Sequence, residues 1–260
     1  MKPLSKARLK LFTGLKAKKN RYRHRLFFVE GIKMVREALG SGWEIEAIIL
    51  EEGFDRRKEV TSMHEDRIFV AEKSSFSQLS TQQQSEGILA VLQMPDRVVS
   101  DSATVGGPGF LLEEIQDPGN MGTLIRTAAW FGFSQIICSK GCVDLYNPKV
   151  LRASMGAIFR VQVQYVENLS DWVGEKEIKV LVADMEGKPV EEYPFEGNEY
   201  VLIGNEAHGV QAHWKTHPLV EYVTISGGHG VESLNAAISG AIFAYEIGKK
   251  RRKVHLSAHR

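Results

Sequence analysis

Three loops of this 260-residue chain carry the residues best suited to bind a ligand or take part in a reaction. The first, "DPGNMGTLIR", runs from Asp117 to Arg126. Its Asp-Pro-Gly triplet predicts a turn, and Asn120 is a favourable N-cap for the helix that follows. Arg126 is the one charged residue of that predicted helix. Two interpretations are open: an ordinary strand–turn–helix whose arginine forms a salt bridge at the surface, or a functional role for this arginine.

The second loop is "YVLIGNEAHGV", in which an apolar strand ends at Gly204 and is followed by Asn205, Glu206 and Gly209. A glycine at a strand end lets a ligand approach the backbone closely. A carboxylate there can accept hydrogen bonds or orient a neighbouring arginine. The alternative is an ordinary strand-to-helix turn in which Glu206 lies near a helix N-terminus.

The third loop is "VTISGGHGVESLNAA", in which Gly227, Gly228 and Gly230 give flexibility and Ser233 or Asn235 can cap the long final helix. Small residues in that helix permit close backbone packing. The glycines match neither the dinucleotide-binding fingerprint nor a P-loop. A nucleotide-dependent dehydrogenase is therefore disfavoured, and phosphate binding by this loop has little support.

His208, His229, Cys138 and Cys142 are the remaining candidates for metal binding or nucleophilic catalysis. Their spacing is unlike that of a zinc site, so we expect no metal. No Ser-His-Asp or Cys-His arrangement can be recognised from spacing.

The loops follow strands in a strand–helix alternation, which predicts an α/β fold with a mostly parallel sheet. In such sheets ligands bind outside the carboxyl ends of the strands, where these loops lie. The predicted strands are Phe110–Glu114, Gln135–Cys138, Val161–Val166, Val180–Asp184, Tyr200–Ile203 and a short strand at 222–225.

The earlier part of the chain predicts a separate, small α/β domain, and residues 95–108 have the composition of a linker. We therefore divide the chain into a basic N-terminal extension, the small domain, the linker, the main domain and a basic tail. Their boundaries are 1–20, 21–94, 95–108, 109–250 and 251–260.

The net charge of +1 conceals two basic termini: residues 1–25 hold ten Lys or Arg and residues 249–260 hold six, with no acid in either segment. One interpretation is a pair of solubilising tails. The other is a surface for a polyanion, because clustered cations release counterions when they bind phosphates. Side chains that suit unstacked RNA bases also lie in or next to the first segment: Tyr22, His24, Phe27 and Phe28.

No apolar run approaches the ~18 residues of a membrane-spanning helix, and the charged N-terminus has no signal-peptide core. Two cysteines are too few for a disulfide framework. We expect a cytoplasmic protein with no membrane partner.

In this order and spacing, the three loops resemble the three motifs of the SpoU (TrmH-like) family of RNA ribose 2′-O-methyltransferases. "DPGNMGTLIRTAAWFG" is similar to the first motif, "LIGNEAHGV" to the second and "ISGGHGVESLNAA" to the third, across about residues 108–250. "FFVEGIKMVREALGSGWEIEAIIL" resembles the N-terminal substrate-binding domain of many members.

The resemblance implies a C-terminal trefoil knot that binds S-adenosylmethionine, and a homodimer with the site built across its interface. It implies 2′-O-methylation of structured RNA, with rRNA favoured over tRNA. The catalytic residues by motif position are Arg126, Asn120, Glu206, Ser233 and Asn235. The cofactor-binding residues are Leu202, Gly204, Asn205, Glu206, Gly209, Ile225, Ser233, Leu234 and Asn235.

A ribose 2′-hydroxyl is a weak nucleophile, and methyl transfer needs oxygen, carbon and sulfur in line, so positioning supplies much of the acceleration. A guanidinium, with a pKa above ~12, is poorly suited to take up a proton. We therefore expect Arg126 to bind the neighbouring RNA phosphate and so orient the hydroxyl. Direct proton abstraction by Arg126 is the alternative proposed for the family.

One stretch departs from the family pattern, which usually opens Ile-Pro-Met or similar, with a glycine two positions later. This chain has Ile225-Ser226-Gly227, with His229 at the later position. The loop is more polar and more flexible, which predicts a less preorganised cofactor site; we interpret His229 as a loop variant. The competing function is a non-catalytic RNA-binding protein that keeps the scaffold. Four retained residues argue against it: Asn120, Arg126, Glu206 and Asn235.

Overall fold

The computed structural model describes residues 2–56, 65–95, 107–227 and 233–257. His229, most of the predicted linker and the end of the predicted basic tail lie outside these ranges. The chain divides into two compact units, one formed by Met1–Val98 with Asp144–Phe159 and the other by Val99–Val143 with Arg160–Arg260. No helix in the described ranges is long and apolar enough to cross a membrane.

The strands and helices alternate along most of the chain. The strands are β1 Lys2–Pro3, β2 Leu26–Glu30, β3 Ile45–Glu51, β4 Ile68–Ala71, β5 Ile88–Gln93, β6 Gly109–Leu112, β7 Gln135–Ser139, β8 Gln162–Val166, β9 Val180–Pro189, β10 Tyr200–Ile203 and β11 Val220–Thr224. The α-helices are α1 Lys6–Gly14, α2 Lys18–His24, α3 Ile32–Leu39, α4 Lys73–Leu79, α5 Pro118–Phe131, α6 Pro148–Ser154, α7 Leu169–Lys176 and α8 Ala236–Ser257.

The first unit is built on a five-stranded mixed sheet of order β1-β4-β3-β5-β2. β5 is antiparallel to both β2 and β3, whereas β3 and β4 are parallel. Phe12 and Leu15 at the start of the chain and Phe76 on α4 bury their side chains in one core with this sheet. Ser5 caps α1, because its hydroxyl accepts from the backbone N–H of Arg8 at 3.3 Å.

A buried ion pair holds the basic segment of the first unit in place. Arg21 is only 3 % exposed and pairs with the carboxylate of Asp144. Its Nη1 also donates to the carbonyls of Leu15 and Lys16, at 2.9 and 2.8 Å. The turn between α1 and α2 is therefore fixed by a paired, hydrogen-bonded guanidinium.

Phe27 and Phe28, whose side-chain type suits unstacked RNA bases, are not accessible to them. Both belong to β2, and their side chains are 0 % and 3 % exposed. The strand is covered on both faces, so its aromatic residues belong to the core.

The second unit is built on a six-stranded sheet of order β11-β9-β10-β6-β7-β8. Every neighbouring pair is parallel, which confirms the predicted α/β architecture with a mostly parallel sheet. Tyr200, Leu202 and Trp214 are buried in the core cluster of this unit. The small-residue pattern of α8 permits close packing as expected: a Cβ at Gly240 would lie 2.5 Å from Leu124 Cδ2 of α5.

The prediction that Asn120 caps α5 is wrong. The N-cap is Asp117, whose carboxylate accepts from the backbone N–H of Asn120 at 2.8 Å. Pro118 occupies the first helical position, where its missing N–H costs no hydrogen bond, so the helix begins before Asn120. Asn120 lies within the first turn, and its side chain is free for other contacts.

Candidate active site

The first two motif loops leave the sheet at one point. Ile203 of β10 pairs with Leu112 of β6, and the backbone N–H of Glu113 donates to the carbonyl of Ile203 at 2.9 Å. The loops that follow these neighbouring parallel strands therefore begin side by side on the carboxyl edge of the sheet.

A chain of hydrogen bonds through Asn120 joins all three motif loops. Asn120 Nδ2 donates to Glu206 Oε1 at 3.0 Å, and Asn235 Nδ2 donates to Asn120 Oδ1 at 2.9 Å. Three of the residues assigned to catalysis from sequence are thus brought together in one polar chain. Both bonds lie at the protein surface, where a ligand can reach them.

Glu206 lies near the N-terminus of a helix. That helix is α5, and not a helix that follows the Glu206 loop. Its carboxylate oxygens lie 3.5 and 3.4 Å from the backbone nitrogens of Gln116 and Asp117, at the start of α5. The segment after the Glu206 loop is a short 3₁₀ helix, Ala212–Thr216. A carboxylate at the start of α5 is favoured by the helix dipole and by unpaired N–H groups there.

Hydrogen bonds of Asn205 stabilise the second loop. Its Oδ1 accepts from the backbone N–H groups of Ala207 and His208 at 2.9 and 3.2 Å, and its Nδ2 donates to the carbonyl of Glu114 at 2.9 Å. Asn205 and Gly209 also exchange two backbone hydrogen bonds of 2.9 Å. This closed turn leaves no room for a side chain at the strand end.

Gly204 is required by the closed turn itself. A Cβ at this position would lie 2.4 Å from the carbonyl carbon of Gly209, which real Cβ atoms do not tolerate. The sequence suggested that Gly204 lets a ligand approach the backbone closely. In the structure, Gly204 lets the backbone of its own loop approach closely.

Arg126 lies on an exposed stripe of α5. Gly119, Thr123, Arg126 and Trp130 are all exposed and follow helical spacing along one face. Within the described ranges, the side chain of Arg126 forms no hydrogen bond or ion pair. The salt-bridge interpretation of this arginine therefore has no support there, and its guanidinium is available to a ligand.

The third loop reaches the site through Asn235. Asn235 Oδ1 accepts from the backbone N–H groups of Ala237 and Ile238 at 2.9 and 3.2 Å, so Asn235 and not Ser233 caps α8. Ser233 and Leu234 are exposed next to it. Ile225 follows the end of β11 and is half-buried.

Leu202 differs from the other predicted site residues. Its side chain is buried in the core, and its backbone pairs with Leu111 on one side and Val182 on the other. Of the predicted cofactor-binding residues, Leu202 is thus the one set inside the sheet rather than at its edge.

Sequence reasoning missed the role of Glu113. This carboxylate is 4 % exposed and accepts from Trp214 Nε1 at 2.9 Å and from the backbone N–H of Gln211 at 2.8 Å. It thereby fixes the segment that follows the second loop. The sequence did offer one signal for this role, because Glu113 is an acidic residue directly after an apolar strand.

Sequence reasoning also missed a projection of β9. Pairing between β9 and β11 jumps from Val182–Tyr222 to Lys188–Val223, so residues 183–187 extend beyond the ladder. Because β9 lies between β10 and β11, this projection is flanked by the ends of two strands, each of which is followed by a predicted cofactor residue, Gly204 or Ile225. Gly187 allows the chain to return to the ladder, because a larger residue would clash there: a Cβ at this position would lie 2.4 Å from the carbonyl oxygen of Tyr222.

Three carboxylates lie at the carboxyl edge of the sheet. Burial raises the pKa of the Tyr222 hydroxyl, and the carboxylates of Asp184 and Glu113 raise it further. Glu206 adds a third carboxylate at the same edge. In the described part of the chain, no group of three His, Cys, Asp or Glu side chains is arranged to hold a metal ion.

Comparison with known proteins identifies the family. The family model for the SpoU rRNA methylase family matches residues 109–245, which is more than half of the chain. The chain belongs to the SpoU rRNA methylase family. The model for an MRM3-like substrate binding domain matches residues 6–90 of the same chain.

Two proteins are similar to this chain over nearly its whole length. The 23S rRNA (guanosine(2553)-2′-O)-methyltransferase RlmP of Bacillus subtilis is 31% identical over 92% of this chain and 95% of its own length. The structure of a TrmH-family RNA methyltransferase from Porphyromonas gingivalis has a TM-score of 0.83 and 32% identity, covering 96% of this chain and 99% of that one.

A second solved structure shares the fold. AviRb of Streptomyces viridochromogenes, a SpoU methyltransferase in complex with AdoMet, has a TM-score of 0.82 and 24% identity, covering 95% of this chain and 99% of that one. At this identity the likeness concerns the fold.

Proposed function

We propose that this protein transfers a methyl group from S-adenosylmethionine to the 2′-hydroxyl of a ribose in rRNA. The observation that carries the proposal is the hydrogen-bond chain Glu206–Asn120–Asn235, which joins the three family motifs at one edge of the sheet. The similarity to a 23S rRNA 2′-O-methyltransferase over nearly the whole chain supports rRNA as the substrate.

The residues at the carboxyl edge fit S-adenosylmethionine. The closed turn Gly204–Gly209, Ile225 and Leu234 would hold the cofactor, and Leu234, 48 % exposed, offers an apolar surface to it. The carboxylates of Glu206, Asp184 and Glu113 lie at this edge, and negative charge near the cofactor favours a cationic sulfonium. When bound, the cofactor supplies the methyl group.

Arg126 is the residue that we propose for orienting the RNA. Its exposed guanidinium can bind a phosphate beside the target ribose in a bidentate manner and so hold the 2′-hydroxyl in line for attack. Asn120 and Glu206 fix the start of α5, the helix that carries Arg126. In this account Arg126 binds and positions, and the proton that the 2′-hydroxyl loses passes to solvent water rather than to Arg126.

We further propose that the protein is a homodimer and that α5 and α8 form the interface. Trp130, Ile238 and Tyr245 are 82 %, 51 % and 50 % exposed, which is unusual for large apolar side chains. Phe131 of α5 contacts Tyr245 of α8 with ring centroids 6.3 Å apart, so these two helices present a continuous surface. A Trp130→Glu variant should sediment as a monomer; a Trp130→Glu dimer would refute this interface.

A trefoil knot in the C-terminal part of the second unit and a cytoplasmic location complete the proposal. The knot is supported by the family membership and by the contacts that hold the chain after β11 against the first motif, through Asn235 and Gly240. The location is supported by Cys138 and Cys142, which are buried and form no disulfide, as suits a reducing compartment.

Isothermal titration with S-adenosylmethionine tests the cofactor site. We expect one molecule bound per subunit with micromolar affinity, and a large loss of affinity in Asn235→Ala. Ser74→Ala, on α4 of the first unit, is the matched surface control and should bind like the parent. No binding by the parent, with RNA binding intact, would favour the non-catalytic scaffold instead.

A further inference from the structure

Tyr22 is an exposed aromatic side chain on a basic helix. It lies on α2 and is 48 % exposed. Lys18, Lys19 and Arg23 on the same short helix are exposed as well. Because residues 1–25 contain no acid, no carboxylate of this segment offsets these charges.

Buried groups hold the Tyr22 side chain in a fixed position. Its hydroxyl donates to Asp144 Oδ1 at 2.7 Å, while the other oxygen of Asp144 pairs with the buried Arg21. The ring of Tyr146 packs edge-on, with centroids 6.5 Å apart and planes at 70°. Burial of the hydroxyl and its bond to Asp144 raise the pKa of Tyr22, so the group stays neutral and keeps this bond at physiological pH.

This arrangement differs from ordinary core packing. A tyrosine that only fills space has its ring covered, whereas Tyr22 turns its hydroxyl inward and keeps half of its surface open. The Lys18 ammonium lies 5.8 Å from the ring centroid. An aromatic ring of fixed orientation, with cations within one helical turn, is the arrangement that binds unpaired nucleotides, because a base stacks on the ring and phosphates pair with the cations.

We propose that Tyr22 stacks on an unpaired base of the RNA substrate, and that Lys18, Lys19 and Arg23 bind the adjoining phosphates. The proposal rests on the proposed function in that the ligand is RNA. The buried pair Arg21–Asp144 contributes by fixing the ring before RNA arrives, which lowers the entropy lost on binding.

Fluorescence anisotropy with labelled oligoadenylate and oligouridylate of about 12 nucleotides tests the proposal. Tyr22→Ala should weaken oligoadenylate binding about tenfold. Tyr22→Phe keeps the ring but loses the bond to Asp144 that orients it, so it should weaken binding much less than Tyr22→Ala does. Adenine stacks more strongly than uracil, so the preference of the parent for oligoadenylate should shrink in Tyr22→Ala.

The salt dependence separates stacking from charge. Tyr22→Ala should leave the slope of log affinity against log salt unchanged, whereas Arg23→Ala should reduce it by about one. Unchanged oligoadenylate affinity in Tyr22→Ala, or an equal loss in Tyr22→Phe and Tyr22→Ala, would overturn the stacking role. A parent that binds neither oligonucleotide would overturn it too.

Titration of the same variants with S-adenosylmethionine keeps the two proposals apart. Tyr22→Ala should bind the cofactor like the parent, because the cofactor residues belong to the second unit. If the parent binds no cofactor but its RNA affinity depends on Tyr22, the proposed methyl transfer fails and the Tyr22 site stands.

Discussion

The polar network around Arg21 in the first unit and the one around Asn120 in the second differ in their access to solvent. Arg21 and Asp144 are 3 % and 7 % exposed and pair with each other inside the unit. The bonds of Asn120 to Glu206 and Asn235 lie at the surface. A buried charge without its partner destabilises the fold strongly, whereas exposed polar pairs add little to stability. The network around Arg21 therefore stabilises the fold. The network around Asn120 adds little stability, and we attribute it to ligand binding.

The two arginines show the same contrast. Arg21 uses its guanidinium to hold two backbone carbonyls and a carboxylate. Arg126 extends from α5 into solvent, with no such partner in the described ranges. We expect substitutions at Arg21 to act on stability and substitutions at Arg126 to act on catalysis.

The largest expected effect follows removal of the buried carboxylate. Asp144→Ala leaves the Arg21 charge unpaired and should lower the free energy of unfolding by about 3–5 kcal/mol, measured by urea denaturation. Glu206→Ala, which removes an exposed carboxylate, is the control and should cost less than about 1 kcal/mol. Similar losses in both variants would remove the distinction between the two networks.

The next largest effect concerns catalysis. Arg126→Ala should reduce single-turnover methyl transfer by about 10²–10³-fold, because a charged group directed at the reacting part of the substrate is lost. Its melting temperature should match that of the parent, since Arg126 is exposed. Arg126→Lys is the informative second variant. If it kept most of the activity, the bidentate phosphate contact would be wrong.

A smaller effect is expected from breaking the surface chain. Asn120→Ala removes two hydrogen bonds and should weaken S-adenosylmethionine binding by about 1–3 kcal/mol. Combined with Asn235→Ala in a double-mutant cycle, the two losses should be less than additive, because the residues share one bond. Additive losses would show that the chain is not a functional unit.

The smallest effect tests the start of α5. Asp117→Ala should lower the free energy of unfolding by about 1 kcal/mol, as loss of an N-cap does, while Asn120→Ala should cost only a few tenths. Thermal unfolding of both variants measures the difference. A larger stability loss in Asn120→Ala would restore Asn120 as the cap.

The strands of the second unit could be predicted closely from sequence, because parallel strands buried on both faces form short apolar runs with turn residues at their ends. The predicted strand Tyr200–Ile203 matches β10 without change. The start of α5 was misassigned because Asp and Asn are equally good caps, and only Pro118 decides between them.

The structural features that could not be predicted from the sequence depend on contacts between residues far apart in the chain. The projection of β9 depends on how β11 pairs with it, some forty residues further along the chain. The grouping of Asp144–Phe159 with the first unit depends on contacts such as Arg21–Asp144, across 123 positions. The site residues were predicted from their family motifs, but the hydrogen bonds that join them required the structure.

The most direct test of the account is to locate the transferred methyl group. Purified protein, tritiated S-adenosylmethionine and unmodified rRNA are incubated, and the RNA is digested in alkali, which cannot cleave beside a 2′-O-methyl ribose. The account predicts label in an alkali-resistant dinucleotide, reduced about 10²–10³-fold in Arg126→Ala. Label in a mononucleotide, which marks base methylation, or no label from the parent on rRNA would contradict it.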